Sequence, residues 1–193
     1  MMTTTTGVCK WLQAAGHEAT LCIAPEVKLH SLNEEIAYFI GEEHKQNYDL
    51  SVQLHLNAFN GKAYGCEAFS YNAEGLPAAK RISAKLGTVW YNRGAKASPG
   101  LYWTRKTKAK SVLVESFFCD SAEDCAKAKK LGMDAHGKLI AEGILGKNIA
   151  VTPEKATKAK YYIQVGEYST KKAANKVIKQ LKTAGFDGIV KKL

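Results

Sequence analysis

The stretch Ser51-Val52-Gln53-Leu54-His55-Leu56-Asn57-Ala58 most narrowly limits what this chain can become. Val52, Leu54 and Leu56 alternate with Ser51, Gln53, His55 and Asn57. That period of two places the apolar set on one face of a β-strand and the polar set on the other. Asn57 and the Asn60-Gly61 turn signal mark where strand gives way to loop, so His55 is expected near the strand's C-terminal end. In open α/β sheets, ligands collect at that end. On this stretch alone, the plainer reading, a hydrogen-bonded and inert histidine on a half-buried strand, is the favoured one.

The flanking sequence alternates helix and strand signals. Thr6–Ala15 reads as a helix stopped by Gly16, and Glu18–Ile23 as a short strand ended by Pro25. Leu32–Lys45 reads as a helix with Ile36, Phe39 and Ile40 inward, capped by Ser31 reaching Glu34. Gly65–Tyr71 is an aromatic-rich strand, and Pro77–Leu86 a helix with proline in its first turn and Gly87 beyond its end. Residues 88–110 read as an irregular basic loop, with Trp90, Tyr91, Tyr102 and Trp103 interleaved among arginines and lysines. Such a loop suits nucleic acid or sugar, or simply tucks its aromatics into a core. Ser111–Phe118 is an apolar strand, Ser121 opens a helix to about Lys130, and Met133–Leu145 is a further helix. The pattern predicts an α/β fold, a mixed and mostly parallel sheet flanked by helices. Gly146–Lys160 reads as a linker. A small C-terminal β-α-β unit follows, built from Tyr161–Gly166, Lys171–Ala184 and Gly188–Lys191.

Composition narrows the class. With 46% hydrophobic and 24% charged residues, the 193-residue chain fits a soluble globular domain with a small appendage. No apolar run approaches membrane-spanning length, so no membrane insertion is expected. MMTTTTGVCK has neither the basic start nor the apolar core of a signal peptide. Cys9, Cys22, Cys66, Cys119 and Cys125 lack CxxC spacing, which argues for reduced thiols and against a structural zinc site. The net charge of +10 points to an anionic partner: nucleic acid, anionic lipid or cell-wall polymer. The excess is concentrated in residues 151–193, where ten lysines face Glu154, Glu167 and Asp187.

Glu115 is the second candidate for chemistry. A carboxylate inside Val112-Leu113-Val114-Glu115-Ser116-Phe117-Phe118 is partly desolvated, which raises its pKa toward the range of a general acid or base. The plainer reading is a glutamate that turns to solvent or pairs with a lysine. His55 and Glu115 both fall near strand ends, so one site could hold both.

Leu12-Gln13-Ala14-Ala15-Gly16-His17-Glu18, Leu32-Asn33-Glu34-Glu35, SVQLHLNAF and VLVESFFCDS together resemble the zinc-dependent N-acetylmuramoyl-L-alanine amidases of the amidase-3 family. The resemblance covers roughly residues 5–146. It implies that His55 is a zinc ligand, that Glu115 is the catalytic acid/base, and that Asn57 shapes the site or contacts substrate. The implied reaction hydrolyses the amide joining N-acetylmuramic acid to L-alanine in peptidoglycan. The family begins with a strand bearing a Gly-His-Gly-type ligand motif, followed by a glutamate ligand. The chain starts at about the next helix, so an N-terminally truncated amidase is expected, with a non-catalytic wall-binding remnant as the alternative. His17, His30, His44 and His136 match no ligand position. A catalytic zinc wants three protein ligands, so this chain is expected to hold zinc weakly and hydrolyse little.

The tail has its own resemblance. Tyr161–Ser169, Ala173, Ala174 and Leu181…Ala184-Gly185-Phe186 are similar to the first half of a SPOR domain, a module that binds septal peptidoglycan. The resulting expectation is an amidase-like domain over 1–146, a linker over 147–159 and a SPOR-like half module over 160–193. That half module would serve wall binding or homodimerisation. Peptidoglycan is the expected partner, rather than nucleic acid, and the expected location is cytoplasmic until release to the cell wall.

Overall fold

The computed structural model describes residues 4–22, 31–150 and, in the tail, 171, 172, 175, 176 and 179. Helices α1 (Thr4–Ala14) and α2 (Leu32–Glu43) precede strand β1 (Leu50–Asn57). Then follow β2 (Cys66–Ser70), α3 (Leu76–Leu86), β3 (Asn92–Ala97), α4 (Tyr102–Lys106), β4 (Lys110–Phe118), α5 (Ala122–Leu131) and α6 (Met133–Leu145). The strands form one sheet in the order β1-β4-β2-β3. β1 runs parallel to β4 and β2 parallel to β3, while β2 and β4 are antiparallel. This is the mixed, mostly parallel α/β sheet that the alternating pattern predicts.

β4 is central, and all of it but Lys110 and the half-buried Glu115 is buried. Val112 and Val114, fully buried, face the same side as Ala68 of β2 and Val52 and Leu54 of β1. Ile82 and Leu86 of α3 and Ile140 of α6 close over that side with no exposure. Each such side chain contributes about 1.5–3 kcal/mol by leaving water. Helix α6 lies against α1 and α3 through two glycines. A Cβ on Gly137 would sit 2.7 Å from the backbone of Gly7 and Val8, and one on Gly143 2.6 Å from Ile82 Cα. No side chain fits at either crossing.

Local signals place the helix starts. Ser31 accepts from the backbone N–H of Glu34 at 3.3 Å, and Ser121 from that of Asp124 at 3.3 Å. Asp124, fully buried, also accepts from the backbone N–H groups of Gly65 (2.7 Å) and Phe118 (3.1 Å). It therefore ties the start of β2 to the end of β4.

Three expectations are corrected. The strand expected over Glu18–Ile23 is not formed at Glu18–Cys22, and Ile23 lies outside the described residues. A strand exists only with a ladder partner; this segment instead flanks a cavity of about 660 Å³ that separates it from the edge of β1. The loop expected over 88–110 contains β3 and α4. β3 is a polar edge strand, Asn-Arg-Gly-Ala-Lys-Ala, whose pairing comes from β2 and not from any apolar alternation. Trp90 and Trp103 are buried, while Tyr91 and Tyr102 stay exposed. Leu56, expected on the apolar face of β1, is 51% exposed, at the point where the pairing with β4 shifts register between His55 and Asn57.

Met1–Ala150 forms one compact unit and Val151–Leu193 a second. Ile149 is buried in the first, its N–H donating to Glu142 Oε1 at 3.0 Å. Of the tail, Lys171, Lys172, Asn175, Lys176 and Lys179 are helical and exposed. The strands expected at Tyr161–Gly166 and Gly188–Lys191, and the linker from residue 151 onward, lie outside the described residues. Among the described residues no helix is long and apolar enough to cross a membrane.

Candidate active site

The face of the sheet opposite the core carries a polar row. His55 of β1 is paired with Glu115 of β4, which is paired with Glu67 of β2. Directly paired residues project to the same face, and neighbouring strands lie about 4.8 Å apart. The sheet thus brings His55 and Glu115 together, as their places near strand ends allow, and adds Glu67.

Glu67 is buried at 4% exposure and accepts from several donors. Asn57 Nδ2 donates to its Oε1 at 3.0 Å, Arg93 Nε donates to the same oxygen at 3.3 Å, and Lys96 Nζ donates to Oε2. Arg93 and Lys96 are three apart, so in a regular strand they would point to opposite faces. A one-residue bulge between the Cys66–Asn92 and Ala68–Ala95 pairs resolves this. Gly94 supplies it at φ +86°, a conformation glycine adopts without strain. Both cations then reach one carboxylate.

A second bulge works on β4. His55 pairs with Glu115, but Asn57 pairs with Phe118. The extra residue sends Phe117 into the core, stacked on Trp90 at 5.4 Å. Phe118 joins the face of Glu115, under the guanidinium of Arg93 at 5.2 Å.

Glu115 is half-buried, and its Oε2 has no hydrogen-bond partner. Burial pushes its carboxyl above the ordinary glutamate range, and the charge of Glu67 pushes it further. Among the described residues no lysine pairs with Glu115, as the plainer reading had it; Lys96 pairs with Glu67 instead. The two carboxylates therefore differ in surroundings: Glu67 is held by two cations and an amide, while Glu115 has a partnerless oxygen and a carboxyl raised by burial. Burial lowers the pKa of His55, with Glu35 opposing it, so its imidazole is neutral and has a lone pair to offer. His55 also lines the cavity bounded by α1, α2 and β1. Asn57 is spent largely on internal contacts: besides donating to Glu67, its Oδ1 accepts from the N–H of Ala58 at 2.9 Å.

Among the described residues, no group of three or more His, Cys, Asp or Glu side chains is placed to hold a metal ion. His55 alone does not make a zinc site, since catalytic zinc takes three protein ligands. Of the other histidines, His44 Nε2 contacts the carbonyl of Lys106 at 2.9 Å and His136 is buried against Trp90, while His30 lies outside the described residues.

Sequence reasoning missed Glu67, and it read Arg93 and Lys96 only as cations of the basic loop over 88–110, not as partners of a carboxylate. Glu67 carries the same signal as Glu115, one carboxylate inside an apolar strand, Cys66-Glu67-Ala68-Phe69-Ser70. That Arg93 and Lys96 meet on one carboxylate carries no sequence signal, because their shared face depends on the bulge.

Residues 1–146 match the N-acetylmuramoyl-L-alanine amidase family, and residues 126–192 match the SPOR domain. The segment common to both matches contains α6, which packs within the first unit. An uncharacterized protein of Clostridium perfringens is 33% identical over 147 residues, 72% of this chain and 43% of that protein. The N-acetylmuramoyl-L-alanine amidase CwlM of Bacillus licheniformis is 28% identical, over 74% of this chain and 56% of its own length. The chain thus spans about half the length of these curated relatives. The catalytic domain of the CD27L endolysin targeting Clostridia Difficile is 45% identical with a TM-score of 0.74, covering 76% of this chain and 82% of that domain. Fold, order of the strands that carry His55 and Glu115, and these matches agree: this chain belongs to the N-acetylmuramoyl-L-alanine amidase family.

Proposed function

We propose that this chain acts on peptidoglycan as an N-acetylmuramoyl-L-alanine amidase, hydrolysing the amide between the muramic acid and L-alanine. The supporting observation is the row His55–Glu115–Glu67, which sets an imidazole beside a carboxyl whose proton affinity is raised by burial, the property of a group that takes up and gives back a proton. Glu115 takes a proton from the attacking water as it adds to the amide carbonyl. It then returns that proton to the departing amine of L-alanine, so the C–N bond breaks and carboxylic acid and amine are released. Glu67, pinned by Arg93 and Lys96, fixes Asn57 beside this pair. His55 would be one zinc ligand by family membership, and among the described residues no group of three such side chains forms around it.

A second reading, a wall-binding protein that keeps the scaffold without turnover, is favoured by the lack of a three-ligand metal group among the described residues. For the tail, the SPOR match supports binding to peptidoglycan glycan, with homodimerisation as part of the same proposal. Sedimentation of a monomer with a folded tail would remove the dimer.

The test is digestion of purified muropeptides with added zinc, read by mass spectrometry. New L-alanine amino termini, lost in Glu115→Gln, support the amidase reading. Cleavage at another bond, or full activity of Glu115→Gln, overturns it. Retention on sacculi without any product supports the second reading.

A further inference from the structure

Phe59 is the most exposed large apolar side chain among the described residues, at 79%. Its loop is held rigidly. Asp120 Oδ2 accepts from the N–H groups of Phe59 (2.9 Å) and Gly61 (2.8 Å), and Asn60 Oδ1 accepts from those of Lys62 and Ala63, both at 3.0 Å. Gly61, at φ +70°, makes the turn possible. The ring is thus presented to solvent by a clamped loop. It forms one wall of a cleft of about 270 Å³, whose other walls include Asn57, Ala63, Glu67, Arg93 and Phe118.

The chemistry of this cleft selects a ligand. Its volume lies near the low end for small-molecule sites, enough for a single ring system. The two charges that line it, Glu67 and Arg93, are paired with each other, so neither a free anion nor a free cation is called for. What remains is an aromatic wall with amide and guanidinium donors and a carboxylate acceptor, which suits a neutral, polyhydroxylated, N-acylated ring with one apolar face. A muramic acid residue is neutral while its lactyl carboxyl is held in the amide. Glu67 stands one strand spacing from Glu115, so a sugar in this cleft brings its lactyl amide toward Glu115. We propose that the Phe59 cleft is the subsite for the N-acetylated amino sugar on the carbonyl side of the scissile amide, with Phe59 as its stacking platform and Asp120 as the residue that positions Phe59. This rests on the amidase reading for the identity of the substrate.

The experiment measures binding in the full chain carrying Glu115→Gln, so that turnover does not consume the ligand. The probes are N-acetylmuramoyl-L-alanyl-D-isoglutamine and the sugar-free dipeptide L-alanyl-D-isoglutamine, followed by the amide resonances of residues 57–63 and Arg93. The sugar is expected to strengthen binding about tenfold, a difference that Phe59→Ala removes and Phe59→Tyr keeps. Phe59 is exposed, so these variants retain the fold. Equal binding of the sugar-bearing probe before and after Phe59→Ala overturns the proposal, as does a sugar that adds nothing to affinity. Should wild-type protein cleave muropeptides while Phe59→Ala binds normally, the subsite falls and the amidase reading stands. A Phe59-dependent sugar preference without cleavage supports the subsite and removes the amidase reading.

Discussion

The two faces of β4 share one strand and one alternation, yet they do opposite work. On one, Val112 and Val114 are sealed under α3 and α6, with Ile82, Leu86 and Ile140 at zero exposure. On the other, Glu115 lies between His55 and Glu67 with an unpartnered carboxylate oxygen. The closed face buries apolar side chains and supplies stability. The polar row leaves a charged group half desolvated, an arrangement that costs stability and makes a reactive proton site. Substitutions on the two faces should separate these effects.

The largest expected effect is on the polar row. Glu115→Gln should lower muropeptide hydrolysis by about 10²–10⁴-fold while leaving the melting temperature unchanged or slightly raised, because a poorly solvated carboxyl is gone. A mutant that melts early would mean that Glu115 is structural. On the closed face the pattern inverts: Ile140→Ala should cost about 2–5 kcal/mol in denaturant unfolding, with activity per folded molecule unchanged.

His136 sharpens the comparison through pH. It is buried against the Trp90 and Phe117 rings, contacts Thr4 Oγ1 at 3.3 Å, and burial lowers its pKa to about 4. The unfolded chain binds a proton near pH 6.5 while the folded chain does not, so the stabilisation is complete above that pH. It is lost as pH falls toward 4, amounting to about 3 kcal/mol. Unfolding measured across that range should show this loss, and His136→Phe should flatten it. The smallest contrast is between two helix glycines. Gly137→Ala, forced against the backbone of Gly7, should cost about 1–3 kcal/mol, whereas Gly41→Ala, with open space around it, should be neutral or stabilising by up to about 1 kcal/mol. Equal melting curves for the two would remove the close crossing of α1 and α6.

Much of this was legible residue by residue. The caps at Ser31 and Ser121 do what their spacing suggests, and the alternation around His55 and the apolar run around Glu115 both become sheet strands. What escaped was whatever depends on a neighbour. The segment Glu18–Cys22 has strand-like composition but no ladder partner, while Asn92–Ala97 has no strand-like pattern and is paired by β2. The importance of Glu67 lay in plain view as a lone carboxylate in an apolar strand, but its cations did not.

From the order of its residues alone, the chain determined which segments become strands with one apolar face, where most helices begin, and which two side chains invite chemistry. Those properties follow from periods of two and of 3.6 and from local hydrogen bonding, and they need no distant contact. Only the folded sheet decided that Glu67 joins His55 and Glu115, and that Arg93 with Lys96, and Glu115 with Phe118, share a face across three positions. The reason is physical: a single inserted residue reverses the facing of everything beyond it, and such a bulge is set by the register of the partner strand.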